Sequence, residues 1–585
     1  DNTHDYIIRE MEFPTAQDFG ESSQQSTPPS SAPSPETERE IFDEIEVLPP
    51  PSATALSIQR PEFGDEPASF SDALQSPIAQ KWIDAMKAEF QSISANKTWT
   101  LCDLPPGRKC IGTKWVFRIK RDGNNNIERY KSRIVAKGYA QIAGLDFEKT
   151  FAPVVRIESV RCLFAIAAFL KFYLLHIDCK TAFLNGRSDL ELYVSQPEGF
   201  IDKRFPRKVL RLNKSLYGLK QAPRIWYLLL CSVITSLGFA ALETDPSIYI
   251  NANAGIIIAV YVDDILVLAQ HESQCLRVFD GLSNHFEVQN KGAPKTFLGL
   301  NIIRKNPSSI TINQSGYIDR LLSRFNMTNA VTAPTPLNAS LPLVKAQPID
   351  RRINVTEYQE LIGSLNHAAV FSRPDISYAV SQLSQFLTDP SSTHLVAAKR
   401  VLRYLKATRN LSITYGGDDG NNLQILGFAD ANWAADRDDR KSITGYVFAI
   451  NNGPVSWTSH KQSTIAHSST EAEYMSLSDA SREAIARTHL FKELNILQIT
   501  NALSLPPVLF CDNQGALTIA ENPTNYQRSK HIDLRYHFIR QTLERGQISI
   551  DYLSTDKQPA DVLTKALGPL KHRRCVDLLG LEYVD

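Results

Sequence analysis

The sequence predicts a multidomain chain of mixed α/β and α+β class, and three observations carry this. Its 585 residues leave room for three or four domains of ordinary size. Residues 255–270, GIIIAVYVDDILVLAQ, are an apolar, β-branched run broken only by Asp263 and Asp264. That pattern reads as two buried strands reversing at a tight Asp-Asp turn. From Leu423 onward, strand-like and helix-like segments alternate, each carboxylate of interest falling at an element end.

Charge is segregated along the chain although the formal net charge is zero. Residues 1–75 hold 16 acidic and 3 basic side chains, a balance of −13 that leaves +13 on the remainder. Between Arg108 and Lys137, ten basic residues stand against two acidic ones. Such a body fits an anionic polymer as partner, although a solvated basic face has the same composition. Residues 1–75 are rich in Ser, Pro, Glu and Gln, as in TPPSSAPSPETE. Few apolar residues recur there at any period, so the stretch reads as a disordered acidic leader. The chain opens DNTHDY, with no initiator Met or signal peptide, as expected of a piece of a longer polyprotein. Its eight cysteines are scattered without a CxxC pair, which points to reduced thiols of an intracellular protein rather than a disulfide framework or zinc finger. No apolar run reaches the length of a membrane span.

Order is expected from Ser76-Pro77, an N-cap with proline at the first helical position. Ile78, Trp82, Met86, Phe90 and Ile93 then recur on one helical face. KWVFRIK and YKSRIVAKG are strand-like around Asp122-Gly123 and Asn124–Asn126. Basic residues alternating with apolar ones give that hairpin a core face and a cationic face. A helix over 157–170 leads into a strand, 172–177, with Asp178 just past its end. Phe183 follows, and a glycine-containing loop enters a helix after Pro223. Asp263 and Asp264, wedged between buried strands, repel each other and are costly to bury unpaired. A divalent cation relieves both penalties; a solvated Asp-Asp turn is the bland alternative. A helix over 315–325, a Pro-containing connector over 326–350 and further helices from Thr356 come next. Lys399, Arg400, Arg403 and Lys406 lie on neighbouring turns, to track a phosphate backbone or to form a solvated face. Beyond Leu423, Asp430 ends the strand ILGFADANWA, and Glu473 sits on the helix SSTEAEYMSLSDASREAIA. Asp512 marks a strand–helix junction, and Asp561 opens the helix QPADVLTKAL. Any one of these acids alone is more often a helix cap.

The blocks WVFRIK, YKSRIVAKGY, FAPVV, IDCKTAFLNG, LYVSQPEGF, LNKSLYGLKQAPRIW and YVDDILV resemble, in order and spacing, the reverse transcriptase of copia-type LTR retrotransposons. FADANWA, STEAEYMSL, CDNQGAL, KHIDLRYHFIR and QPADVLTK resemble the RNase H domain of the same family. The resemblance implies a right-hand polymerase: fingers and palm over 76–300, thumb and helical connection over 301–422, and an RNase H-like α/β domain over 423–585. It implies that Asp178, Asp263 and Asp264 hold two Mg²⁺ ions for nucleotidyl transfer. Asp430, Glu473, Asp512 and Asp561 would hold another pair astride a scissile RNA phosphate, with Mn²⁺ as an admissible substitute. By the same matching, Lys120 and Arg133 grip the incoming triphosphate, and Phe183 excludes a 2′-hydroxyl. Tyr217-Gly218 lies under the nascent base pair and template. Implied partners are an RNA template, a DNA or tRNA-type primer, RNA–DNA hybrid, deoxynucleoside triphosphates, and the integrase and capsid of the same element, with no membrane. The implied location is a cytoplasmic virus-like particle with nuclear entry.

One departure stands out. Many RNase H domains carry a His on a loop shortly before the last carboxylate, whereas STDKQPAD, residues 554–561, has none. His531 and His537 lie upstream on a separate segment. Two other readings stand beside the main one: a catalytically inactive or domesticated nucleic-acid-binding relic, and an RNA-copying RNA polymerase. Seven intact carboxylates argue against the first; Phe183 and the attached RNase H domain argue against the second.

Overall fold

The computed structural model describes residues 66–121, 127–188, 190–417, 423–495, 497–521 and 533–584. Residues 1–65 of the expected leader and the 122–126 turn lie outside them.

Ordered structure begins before Ser76. Glu66 pairs with Arg118 and accepts from the Ile119 N–H at 2.8 Å. Phe70–Gln75 is a helix whose first turn is capped by the Ser69 hydroxyl. Phe70 packs over Gly199 so closely that a Cβ there would lie 2.3 Å from the ring. Ser76 therefore closes this helix instead of opening the next, which runs Ala79–Ala95 from Ile78. Trp82, Met86 and Ile93 are buried as the helical period requires, with Trp82 edge-on to Phe117 and Tyr130. Those rings belong to the hairpin Thr113–Arg121/Ile127–Ala136. Its register pairs Val116 with Arg133, Arg118 with Lys131 and Lys120 with Arg129. Paired residues share a face of an antiparallel ladder, so the cationic face expected from the alternation is present.

Six strands form the central sheet, in the order 288–290, 173–179, 264–269, 256–261, 248–251 and 240–241. Successive residues enter different cores. Leu174, Ile257, Ala259, Leu266 and Leu268 join the core of helix Ile157–Phe169. Leu175, Ile177, Ile258, Val260, Ile265 and Val267 join that of helices Ala222–Ser236 and Glu272–Ser283. Strands buried on both faces read as continuous apolar runs, which is why 255–270 shows no alternation.

Helices Ser315–Arg324, Val355–Phe371, Ser377–Ser384 and Ser392–Ala407 enclose a separate core. Three of the four basic residues singled out on the last of these helices, Arg400, Arg403 and Lys406, are engaged within the protein. Arg400 donates to Thr335 O and Oγ1, Arg403 to Val331 O, and Lys406 to Ala330 O. These three cations clamp the connector over 330–335 and are not arrayed for a phosphate backbone.

The last unit holds a five-stranded sheet in the order 453–461, 443–450, 423–432, 503–511 and 549–552. The first three strands are antiparallel and the last two run parallel to 423–432. Helix Ser469–Glu493 packs across it. This is consistent with the RNase H-like domain expected there. QPADVLTKAL departs from its expected helix: Pro559–Leu563 is a short 3₁₀ turn with Asp561 inside it.

A second five-stranded sheet ties this unit to the rest, in the order 296–297, 300–306, 309–313, 411–416 and 581–583. The chain leaves it after Gly416, builds the last unit, and returns to pair Leu581–Tyr583 with Leu411–Gly416. One continuous core runs from helix Ile157–Phe169 through this sheet into the last unit. Arg161, 1% exposed, marks the junction. It donates to Val455 O at 2.7 Å and to Val370 O at 2.6 Å, and its guanidinium lies 3.8 Å from the Trp457 ring centroid. No helix among the described residues is long and apolar enough to cross a membrane.

Candidate active sites

Tyr261 pairs with Asp264, so the turn is Val262-Asp263 rather than Asp-Asp, and Asp264 already opens the return strand. Val262 has φ +57°, a conformation costly for a β-branched residue. Two tethers hold it: Trp226 Nε1–H donates to Val262 O at 2.7 Å, and the Cys179 N–H to Asp263 O at 2.8 Å. Asp178 lies within its strand, not past its end, directly opposite Asp264. Two strands and one strained turn thus gather three carboxylates.

Their electrostatics follow from that crowding. Burial first, then Asp264 and Asp178, push the Asp263 carboxyl above its ordinary value, with Arg133 opposing. The neighbouring Cys179 thiol is pushed up to about 12, by burial and then by the three acids. Two cationic or polar partners meet the others: Lys291 Nζ lies 2.8 Å from Asp178 Oδ1, and His176 Nε2 lies 2.7 Å from Asp264 Oδ1. Three crowded carboxylates that draw in such partners are a donor set suited to hard divalent cations.

A wall stands beside Asp263. The Arg133 guanidinium lies 5.0 Å from the Tyr217 ring centroid, and Tyr217 lies 5.0 Å from Phe183. Phe183, on the turn Ala182–Leu184, is half-buried between two cores. Gly218 has φ +91°, and a Cβ there would fall 2.2 Å from Ala136 O, so only glycine lets this loop close on the hairpin. Lys120 is not brought to the wall. It is exposed and sits four residues beyond Val116, Arg133's partner, about 13 Å farther along the strand.

The second carboxylate group is assembled from three elements and a turn. Asp430 lies on strand Leu423–Asn432, Glu473 on helix Ser469–Glu493, and Asp512 directly after strand Leu503–Cys511. Oxygens of Glu473 and Asp512 lie within 4.8 Å of each other and of Cys511 Sγ. Burial pushes Asp430 up to about 6, with Lys565 opposing and Asp561 and Asp512 adding to it. Glu473 is raised well above the carboxylate range by burial, then by Asp430 and Asp512. Asp561 is fully buried and already paired, to Lys565 at 2.6 Å and Lys571 at 2.5 Å. Lys565 also lies 3.4 Å from Asp430 Oδ2, to which the Thr564 hydroxyl donates. Asp430, Glu473, Asp512 and Asp561 thus form one carboxylate cluster suited to a divalent ion, with lysines beside Asp561 as Lys291 stands beside Asp178. Thr555, in the stretch that lacks the expected His, donates to Asp512 Oδ2 at 2.7 Å. His531 and the His537 side chain lie outside the described residues.

Residues 96–339 match the family model described as reverse transcriptase (RNA-dependent DNA polymerase). The chain is 38% identical, over 88% of its length, to the retrovirus-related Pol polyprotein from transposon TNT 1-94 of Nicotiana tabacum. The same identity and coverage hold for the polyprotein from transposon RE1 of Arabidopsis thaliana. The putative transposon Ty5-1 protein YCL074W of Saccharomyces cerevisiae is matched over 100% of its length, at 37% identity and 52% of this chain. The chain belongs to the copia-type retrotransposon Pol polyproteins. It spans 39% of the tobacco polyprotein and 34% of the Arabidopsis one. Among solved structures, a foamy viral protease–reverse transcriptase in complex with RNA/DNA hybrid is similar over 82% of this chain and 54% of its own, at 14% identity and a TM-score of 0.44.

Several residues of the copia-type sites escape sequence reasoning. Lys291, His176 and Thr555 carry no local signal, because their carboxylate partners are 113, 88 and 43 residues away. Lys565 had one, since it stands four residues after Asp561, a helical ion-pair spacing.

The raised acids make a prediction for the second carboxylate cluster. Without a divalent ion, the folded chain holds protons on Asp430 and Glu473 that the unfolded chain releases near pH 4. Stability from the Asp430 proton is present at low pH and lost as pH rises through about 6, and that from the raised Glu473 is lost in the same direction. A divalent ion competes with those protons. The gain in Tm on adding Mg²⁺ is therefore expected to be small near about pH 5, larger near about pH 8, and reduced in Asp430→Asn. Thermal melts with Mg²⁺ or chelator check this; a gain independent of pH removes the donor assignment.

Proposed function

We propose that this copia-type chain is an RNA-directed DNA polymerase with a linked RNase H-type nuclease, copying the element's RNA and degrading the RNA strand of the hybrid. The observation that carries the reading is the register setting Asp178 opposite Asp264 beside the Val262-Asp263 turn. Asp178, Asp263 and Asp264 would hold two Mg²⁺ ions, with Mn²⁺ as a substitute. Bound there, such ions supply the charge that activates a primer 3′-hydroxyl and neutralises the triphosphate leaving group. The chain's own groups position the substrates. Arg133, braced on Tyr217, meets the triphosphate, while Tyr217-Gly218 floors the nascent base pair. In the second site Asp430, Glu473, Asp512 and Asp561 would be the donors, with Lys565 between Asp430 and Asp561. Template, primer, hybrid and deoxynucleotides are the proposed substrates, and the element's integrase and capsid the proposed companions.

Primer extension on an RNA template, with deoxy- or ribonucleotides and with Mg²⁺ or chelator, tests this. Extension with deoxynucleotides and a divalent ion is expected. Binding without extension favours the relic, and ribonucleotide extension favours an RNA polymerase.

Phe183 bears on sugar choice. Its ring is half-buried against Tyr217, so truncation opens space on the wall while leaving the carboxylates in place. Phe183→Val is expected to raise the ribo-to-deoxynucleotide kcat/KM ratio about tenfold or more, read by single-nucleotide insertion. An unchanged ratio makes Phe183 a packing residue only.

A further inference from the structure

Cys511 closes strand Leu503–Cys511 and stands directly before Asp512. Its backbone is held from both sides, paired with Ala429 on one neighbouring strand and Tyr552 on the other. Its carbonyl also accepts from the Leu553 N–H at 3.0 Å. The side chain is fully buried and turned toward the second carboxylate cluster. Sγ lies 3.9 Å from Glu473 Oε2, and an oxygen of Asp512 completes a trio within 4.8 Å. Among the described residues, no other trio of potential metal donors includes a thiol. The Asn513 N–H points at the same sulfur from 3.5 Å, and the Thr555 hydroxyl donates to Asp512 Oδ2 at 2.7 Å.

This mixed donor set sorts divalent ions by their chemistry. Mg²⁺ demands oxygen ligands in a near-octahedral array and gains nothing from sulfur. Zn²⁺ and ions like it take thiolate and carboxylate together in a tetrahedron. Bonds of about 2.3 Å to sulfur and about 2.1 Å to oxygen place those two atoms about 3.6 Å apart. Cys511 Sγ and Glu473 Oε2 already stand close to that spacing, and Asp512 is the part-exposed member that can close on the ion. An N–H aimed at the sulfur and a hydroxyl on the carboxylate are the outer hydrogen bonds that orient such ligands.

We propose that Glu473, Cys511 and Asp512 form a site for a thiophilic divalent ion of the Zn²⁺ class, and that this ion shuts the second centre down. As it binds, the thiol proton leaves to solvent and the sulfur gives an electron pair to the metal. The ion then occupies two carboxylates that hybrid cleavage requires. The shutdown rests on the nuclease reading above; the binding does not. Cd²⁺, whose bond to a thiolate absorbs in the ultraviolet, is the probe for the full chain. The wild type is expected to show that band, Cys511→Ser to lose most of it, and Cys575→Ser, which alters another buried thiol of the same unit, to keep it. Zn²⁺ titrated at fixed Mg²⁺ should halve hybrid cleavage at a concentration about tenfold or more higher in Cys511→Ser than in the wild type. Cys511→Ala takes the place of the serine variant if the latter loses its cooperative melt. No band in the wild type, a band undiminished in the Cys511 variant, or a Zn²⁺ midpoint that does not move overturns the proposal. Failure of the nuclease reading appears separately, as no cleavage by the wild type in Mg²⁺ alone, and the Cd²⁺ band still decides the site.

Discussion

Asp263→Asn is expected to abolish primer extension while hybrid cleavage continues and the protein becomes more stable in chelator. Asparagine keeps the size of the side chain and suits a turn. Both backbone tethers of the turn act through main-chain oxygens, Val262 O and Asp263 O, so they survive. What is lost is one negative charge that burial and two neighbouring acids already disfavour. Its removal relieves repulsion in the ion-free fold, because the ionised form is the one that folding penalises above the unfolded pKa. The rate should fall by about a hundredfold to a thousandfold, since a single donor that stabilises developing charge is worth about 10²–10³. Extension assays and a melt in chelator read the two effects together. Extension near the wild-type rate removes Asp263 from the site; loss of both activities with a lower Tm indicates misfolding.

Glu473→Gln is the matching change in the second site, with an effect of similar size on cleavage. Glu473 is buried on the first turns of its helix, and its charge is opposed by burial, Asp430 and Asp512. The amide keeps the shape and removes the charge that would attract a divalent ion. Full-length DNA should accumulate still paired to intact RNA, visible on one denaturing gel with both strands labelled. Cut RNA from the variant means that Glu473 is not a donor.

Legibility in the sequence followed a physical divide. Features encoded within about ten residues could be read: the buried strands flanking Asp263, the helix bearing Trp82 and Met86, the cationic face of the hairpin, and the carboxylates at element ends. Features set by distant partners could not. Whether the turn was Asp-Asp or Val-Asp depended on Tyr261 pairing with Asp264, one residue of register. The helix Phe70–Gln75 was hidden because its apolar content is slight, and its place depends on Gly199, 129 residues from Phe70. Arg400, Arg403 and Lys406 resembled a phosphate track because helical spacing gives a face but not what covers it; here the connector does. For the last carboxylate, local reasoning supplied Asp561, but not Lys565, Lys571 or the burial that makes both lysines necessary.

The core that passes unbroken from helix Ile157–Phe169 into the last unit, pinned by Arg161 and by the return of Leu581–Tyr583, has a mechanical consequence. Two carboxylate sites mounted on one solid body keep a constant separation, whereas sites joined by a tether do not. Close-packed interiors transmit strain instead of absorbing it, so on the proposed polymerase and nuclease reading each advance of the growing DNA end would carry the second site forward by the same step. The distance from the last nucleotide added to the next break in the RNA then becomes a property of the fold, a ruler that salt, temperature and template sequence should leave unaltered while the fold persists.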